Sequence, residues 1–140
     1  MSLRYSALIL CLLLACRLDR PAAPITVPAT GSIDSIEVSP ANLVLTDTAV
    51  IEAVRSFVEA HNTDWYHSWR AVPSPDCTFT FWSNSDFTLT VWVGPDWLGV
   101  RMAGDGPVDR RLRRLERQDR SALLGLLGDR GCRFSRGRAA

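Results

Sequence analysis

The chain has no lysine, no apolar run long enough to cross a bilayer, and none of the short residue patterns that carry familiar chemistry. Each absence removes a class of explanation. A spanning helix needs about 20 apolar residues, so none can be written. No Gly-rich phosphate loop, Cys-x-x-Cys pair, Ser-His-Asp order or paired carboxylates stand out, so nucleotide, redox and acyl-transfer chemistry have no residue set to rest on. All sixteen basic residues are arginine. That answers no physical need and reads as genome base composition. At 140 residues, the chain has room for one small domain of about 100 residues and no second one.

What is present is unevenly spread. From Cys16 to Val100 there are four Arg against ten acidic residues, and from Arg101 to Ala140 eleven Arg against five. A net charge near zero therefore conceals a strong dipole along the chain.

The N-terminus is read first as an address. Arg4 precedes an apolar stretch from Ala7 to Ala15, "ALILCLLLA", which is signal-peptide anatomy and too short to span by itself. "LLAC", Leu13 to Cys16, resembles the lipobox of bacterial lipoprotein precursors, in which a small residue precedes a cysteine that is acylated and becomes the mature N-terminus. The resemblance implies lipid attachment at Cys16. Cys11 follows Leu10, a branched residue, and does not fit. Arg17, by the sorting habit of that family, is compatible with delivery to the outer membrane in a Gram-negative envelope. The expected organisation is a signal peptide over 1–15, a Pro- and Ala-rich tether over 16–33, a domain over 34–128 and an Arg/Gly-rich tail over 129–140.

Within the domain, "TDTAVIEAVRSFVEAHN" predicts a helix capped by Thr46 or Asp47, with Val50, Val54, Phe57, Val58 and His61 at helical spacing. Phe79 and Phe81, then Phe87, Leu89, Val91 and Val93, then Leu98, Val100 and Met102 recur with period two, which predicts an antiparallel meander with one buried face. A further strand is expected in "WYHSWRAVP". A closing helix is predicted over 116–127, while "VDRRLRRL" fits a helix extension or an edge strand equally. The expected fold is α+β: an N-terminal helix, a three- to four-stranded antiparallel meander and a C-terminal helix.

Cys77 and Cys132 remain as an even pair once Cys16 is acylated, and in an oxidising envelope they are expected to form a disulfide. Trp82, Trp92, Trp97 and Arg101 fall on or near the outer sheet face, where they could contact a sugar, peptide or protein; Trp92 filling the space opposite Gly99 is the structural alternative. His61, Asp64 and His67 are of metal-ligand type, but histidines six apart on a helix lie about 120° from one another, so no metal site is expected. No cofactor is implied. The reading is a lipid-anchored envelope protein acting as a non-enzymatic binding or scaffolding module. It is held to a membrane by its lipid, with an envelope protein or glycan as partner and no nucleic acid. A small metal-dependent or hydrolytic enzyme and a soluble cytosolic domain are the alternatives.

Overall fold

Alternation of apolar and polar residues organises most of the chain from Ser35 onward. The computed structural model describes residues 20–67, 72–106, 109–128 and 131–132, so Cys16 and the apolar run before it lie outside the described residues. Its strands are β1 (Arg20–Pro21), β2 (Ser35–Ser39), β3 (Leu43–Leu45), β4 (Tyr66–His67), β5 (Cys77–Ser83), β6 (Asp86–Val93), β7 (Trp97–Met102) and β8 (Arg111–Arg114). Helix α1 (Thr48–Ala60) lies between β3 and β4, α2 (Arg117–Gly125) follows β8, and a 3-10 turn occupies Thr30–Ser32.

All eight strands join one antiparallel sheet in the order β1-β4-β8-β7-β6-β5-β2-β3. The predicted meander is its centre, β5-β6-β7. Phe79, Phe81, Leu89, Val91, Val93, Leu98 and Val100 point to one face and are fully buried there, joined by Ile36 and Val38 of β2. Burial of side chains of this size stabilises by about 2 kcal/mol each, which makes this face the principal source of stability.

Helix α1 closes that face. The Asp47 carboxylate accepts hydrogen bonds from the Ala49 and Val50 amides at 2.9 and 3.1 Å, satisfying two of the donors a helix start leaves free. Ile51, Val54 and Val58, spaced three and four apart, are its buried stripe. Glu52 and Arg55 pair at 3.1 Å on the opposite side. In the sheet order β3 is the far edge and β4 lies next to the near edge, so α1 returns the chain across the sheet. Leu123 of α2 and Leu127 beyond it enter the same core, whereas Ala122 and Leu126 are exposed.

The fold departs from the α+β expectation of helix, short meander and helix: it is mostly β, an eight-stranded sheet with two short helices. β1, β2 and β3 lie outside the expectation; β1 and β3 are two and three residues long and owe their conformation to neighbours, whereas β2 alternates on its own, with Ile36 and Val38 buried on either side of exposed Glu37. "VDRRLRRL" resolves in part as strand β8, in which Leu112 lies opposite Gly99. Of "WYHSWRAVP", Tyr66–His67 is strand and residues 68–71 lie outside the described residues.

The Pro-rich segment also differs from a free tether once it reaches Arg20. Arg20 and Pro21 pair with β4, and Ile25 and Ile33 are buried in the core. At the other end, Cys132 lies bonded to Cys77 of β5 with Cα atoms 5.8 Å apart, so the segment after α2 is fastened to the sheet.

Candidate binding face

Both helices and the N-terminal strap bury the same face of the sheet. Among the described residues, no helix lies on the other face, and two rows of side chains cross it. One runs Ser39, Thr78, Trp92, Gly99, Leu112 and Tyr66, through five successive strand pairings. The second runs Glu37, Thr80, Thr90 and Arg101. Val100 pairs with Arg111, so the next step of that ladder sets Arg110 beside Arg101 and extends the second row. Glu37 and Arg101 are three strand spacings apart, about 14 Å.

The first row is packed on its own backbone. A Cβ on Gly99 would lie 2.8 Å from Leu112 Cδ2 and 3.1 Å from both the Trp92 and Trp97 rings, and a Cβ on Gly94 would fall 1.9 Å from Trp97 Nε1. The two glycines thus leave the space that the indoles fill. Trp97 is buried as a plug, and Trp92 is half-buried beside it. Against Trp97 opens a cleft of about 290 Å³ lined by Tyr66, Pro73, Asp96, Leu112, Arg113 and Arg114.

In the second row the polar heads sit on rings. Arg101 lies over Phe87 with Cζ 5.3 Å from the ring centre, and Arg110 lies over Trp92 at 6.0 Å. Phe87 reaches this face because the β5-β6 register shifts at Phe81/Trp82: Leu89 still faces Phe81, but Phe87 faces Trp82, leaving Thr88 as the extra residue. The Thr88 hydroxyl donates to the Phe81 carbonyl at 2.9 Å, and Phe87 meets Trp82 edge-on at 6.5 Å. Period-two counting placed Phe87 in the core; the bulge turns it outward.

Trp82, Trp92 and Arg101 therefore share a half-exposed aromatic and cationic surface, and Trp97 lies below it. Counting along the chain missed Phe87 and Arg110. Arg110 could be recognised only once β8 was known to pair with β7.

Four further arginines of the run have partners within the domain, while Arg117 is exposed. Arg111 pairs with Asp105 at 3.1 Å, Arg114 with Glu116 at 3.5 Å and Arg120 with Asp76 at 2.9 Å. Arg113 donates to the carbonyls of His61 and Thr63 and lies 6.0 Å from the centre of Trp65.

The histidine segment is a joint, and its ligand-type residues do not converge. His61 stacks on Phe57 at 4.1 Å, its Nδ1 lies 2.7 Å from the Phe57 carbonyl, and its Nε2 lies 3.2 Å from Asp119 of α2. Asp64 is exposed at a positive-φ turn position, and His67 sits in β4 between Arg20 and Arg111. Among the described residues, no three His, Cys, Asp or Glu side chains are grouped to hold a metal ion, and no helix is long and apolar enough to cross a membrane.

The arrangement offers flat aromatic area and fixed cations. No family model, curated protein or solved structure matches this chain.

Proposed function

We propose that this is a lipid-anchored protein of the bacterial cell envelope whose domain acts as a non-enzymatic binding module, using the helix-free sheet face as its contact surface. The observation that carries the reading is the one-sidedness of the fold. Both helices bury one face, while the other presents Trp82, Trp92, Arg101 and Arg110 half-exposed. Aromatic and arginine side chains combine large contact area with few rotatable bonds or a rigid donor fork, which is why contact surfaces favour them. The partner class that fits is an envelope protein or glycan.

The anchor rests on the lipobox resemblance at Cys16. Three residues lie between Cys16 and Arg20, where β1 begins, so the link of four Cα steps spans at most about 14 Å. An acylated Cys16 would hold the sheet against the bilayer surface, much closer than the long tether expected from composition. An even disulfide pair, Cys77–Cys132, is consistent with an oxidising compartment.

Two measurements test this. Cells fed a clickable fatty acid should label the unaltered chain and not Cys16→Ser; equal labelling of both would sink the anchor. A photo-cross-linking residue placed at Thr80 on the sheet face should give a discrete adduct in cells, while one at Ser56 on α1 should not. Adducts at Ser56 alone would move the contact surface to the helices.

A further inference from the structure

Arg110 directly precedes β8, and continuing the β7-β8 register one step past Val100 and Arg111 sets its backbone beside that of Arg101, an arrangement of like charges. Among the described residues neither meets a carboxylate, in contrast to Arg111, Arg114 and Arg120. The Nε atoms of both are buried without a hydrogen-bond acceptor, as is that of Arg111, so the absence of a carboxylate is what sets Arg101 and Arg110 apart. Two guanidiniums close together with no carboxylate beside them leave positive charge and donors available to an outside anion.

The surrounding rings fix how that demand is presented. Arg101 rests on Phe87, which the β-bulge brings outward and Trp82 supports at its edge. Arg110 rests on Trp92, which is itself held over Gly99. A guanidinium held over a ring makes a cation–π contact that uses none of its N–H donors. Two forks held in this way offer more donors than the two oxygens of one carboxylate can accept. A phosphate monoester, with three terminal oxygens and up to two negative charges, matches both the donor number and the charge.

We propose that Arg101 and Arg110, held by Phe87 and Trp92, form a binding site for a phosphate monoester group, either free in solution or at the head of a membrane lipid. This deepens, and rests on, the reading of the helix-free face as a contact surface. The lipid source is favoured by position. β1, where the chain arrives from Cys16, is separated from Arg110 on the β8 side by two strand spacings, about 10 Å.

The test uses the full, oxidised chain and two probes. Inorganic phosphate is titrated at constant ionic strength, with tryptophan emission and the arginine Nε–H resonances as readouts. Co-sedimentation is then measured with phosphatidylcholine vesicles with and without phosphatidic acid, whose head is a phosphate monoester. Because the comparison is between the two vesicle types, any contribution of the N-terminal apolar segment cancels.

A saturable response is expected, with affinity at least tenfold weaker in Arg101→Gln and in Arg110→Gln and unchanged in Arg114→Gln, whose side chain is exposed beside Glu116. Response to vesicles alone assigns the lipid, and response to inorganic phosphate alone assigns a soluble ligand. Silence in both arms, or equal affinity in the glutamine variants, overturns the site. Should a variant fail to fold, the unaltered chain still decides: phosphate must shift the Arg101 and Arg110 Nε–H resonances and not that of Arg120. Silence in both arms together with a persisting Thr80 adduct would retire the phosphate site and leave the contact face standing. Loss of that adduct with phosphate binding intact would do the reverse.

Discussion

Asn62 and Ile25, 37 residues apart, are joined as two strand neighbours would be, but through one side chain. The Asn62 amide oxygen accepts from the Ile25 N–H at 2.8 Å, and its nitrogen donates to the Ile25 carbonyl at 2.6 Å. The same oxygen takes the Trp65 indole N–H at 3.0 Å. This pins the N-terminal strap to the end of α1 and accounts for a Pro-rich segment with few periodic apolar residues being ordered.

Asn62→Leu should therefore cost roughly 2–4 kcal/mol, because three partners lose their bond in a largely dehydrated place. Urea denaturation measures the loss, and amide exchange at Ile25 and Ala22 should quicken more than at Val91. A loss below 0.5 kcal/mol would show that the strap is held by burial of Ile25 and Ile33 alone.

Gly94 and Gly99 should be intolerant of alanine, in that order. At Gly94 the new methyl would overlap the Trp97 indole at 1.9 Å, and at Gly99 it would press on the terminal methyl of Leu112 at 2.8 Å, a less severe approach. Overpacking of this kind costs about 1–3 kcal/mol, with Gly94→Ala expected near the top and Gly99→Ala near the bottom. Near-ultraviolet circular dichroism should report displacement of Trp97 in Gly94→Ala. Equal stability of both variants with the unaltered chain would contradict the plug.

The Cys77–Cys132 bond spans 55 positions. In the chain-entropy account, closing a loop of that size is worth about 4 kcal/mol, so the doubly substituted Cys77→Ala/Cys132→Ala chain should unfold at markedly lower urea concentration. The unaltered chain under reducing conditions should approach it. Coincident transitions for oxidised and doubly substituted chains would mean that the bond does not form.

Glu52 supplies a pH test. Its hydrogen bond from Arg55, and then that from Ser56, hold its carboxyl below the ordinary value of 4.5. A group depressed in the folded state stabilises above its unfolded value and loses that contribution as pH falls through the folded one. The stability gap between the unaltered chain and Glu52→Gln should thus be present at neutral pH and close in acid below that range. It should also be small, since the pair is exposed and screened. A gap independent of pH would assign it to something other than the ion pair.

The sequence made the centre of this fold legible because β5, β6 and β7 each alternate over six to eight residues, and α1 carries both a cap and a stripe. Legibility failed at the edges. β1 and β3 are two and three residues long, and the pairing that makes them strands is a property of the sheet. It failed again at Phe87, where one inserted residue reverses the facing of a side chain whose spacing looked regular. The candidate site inherited both gaps: Trp82, Trp92, Trp97 and Arg101 could be placed by counting, but Arg110 needed β8 and Phe87 needed the bulge.

The Cys77–Cys132 bond has one more effect, which concerns proteolysis. It converts residues 77–132 into a covalent ring, and Trp82, Phe87, Trp92, Trp97, Arg101 and Arg110 all lie within it. A single backbone cut inside the ring, at the turn over 102–106 for instance, releases no fragment. Both halves of the aromatic and cationic face stay linked until the bond is reduced, so a nicked molecule could keep an intact surface and show its damage only on a reducing gel.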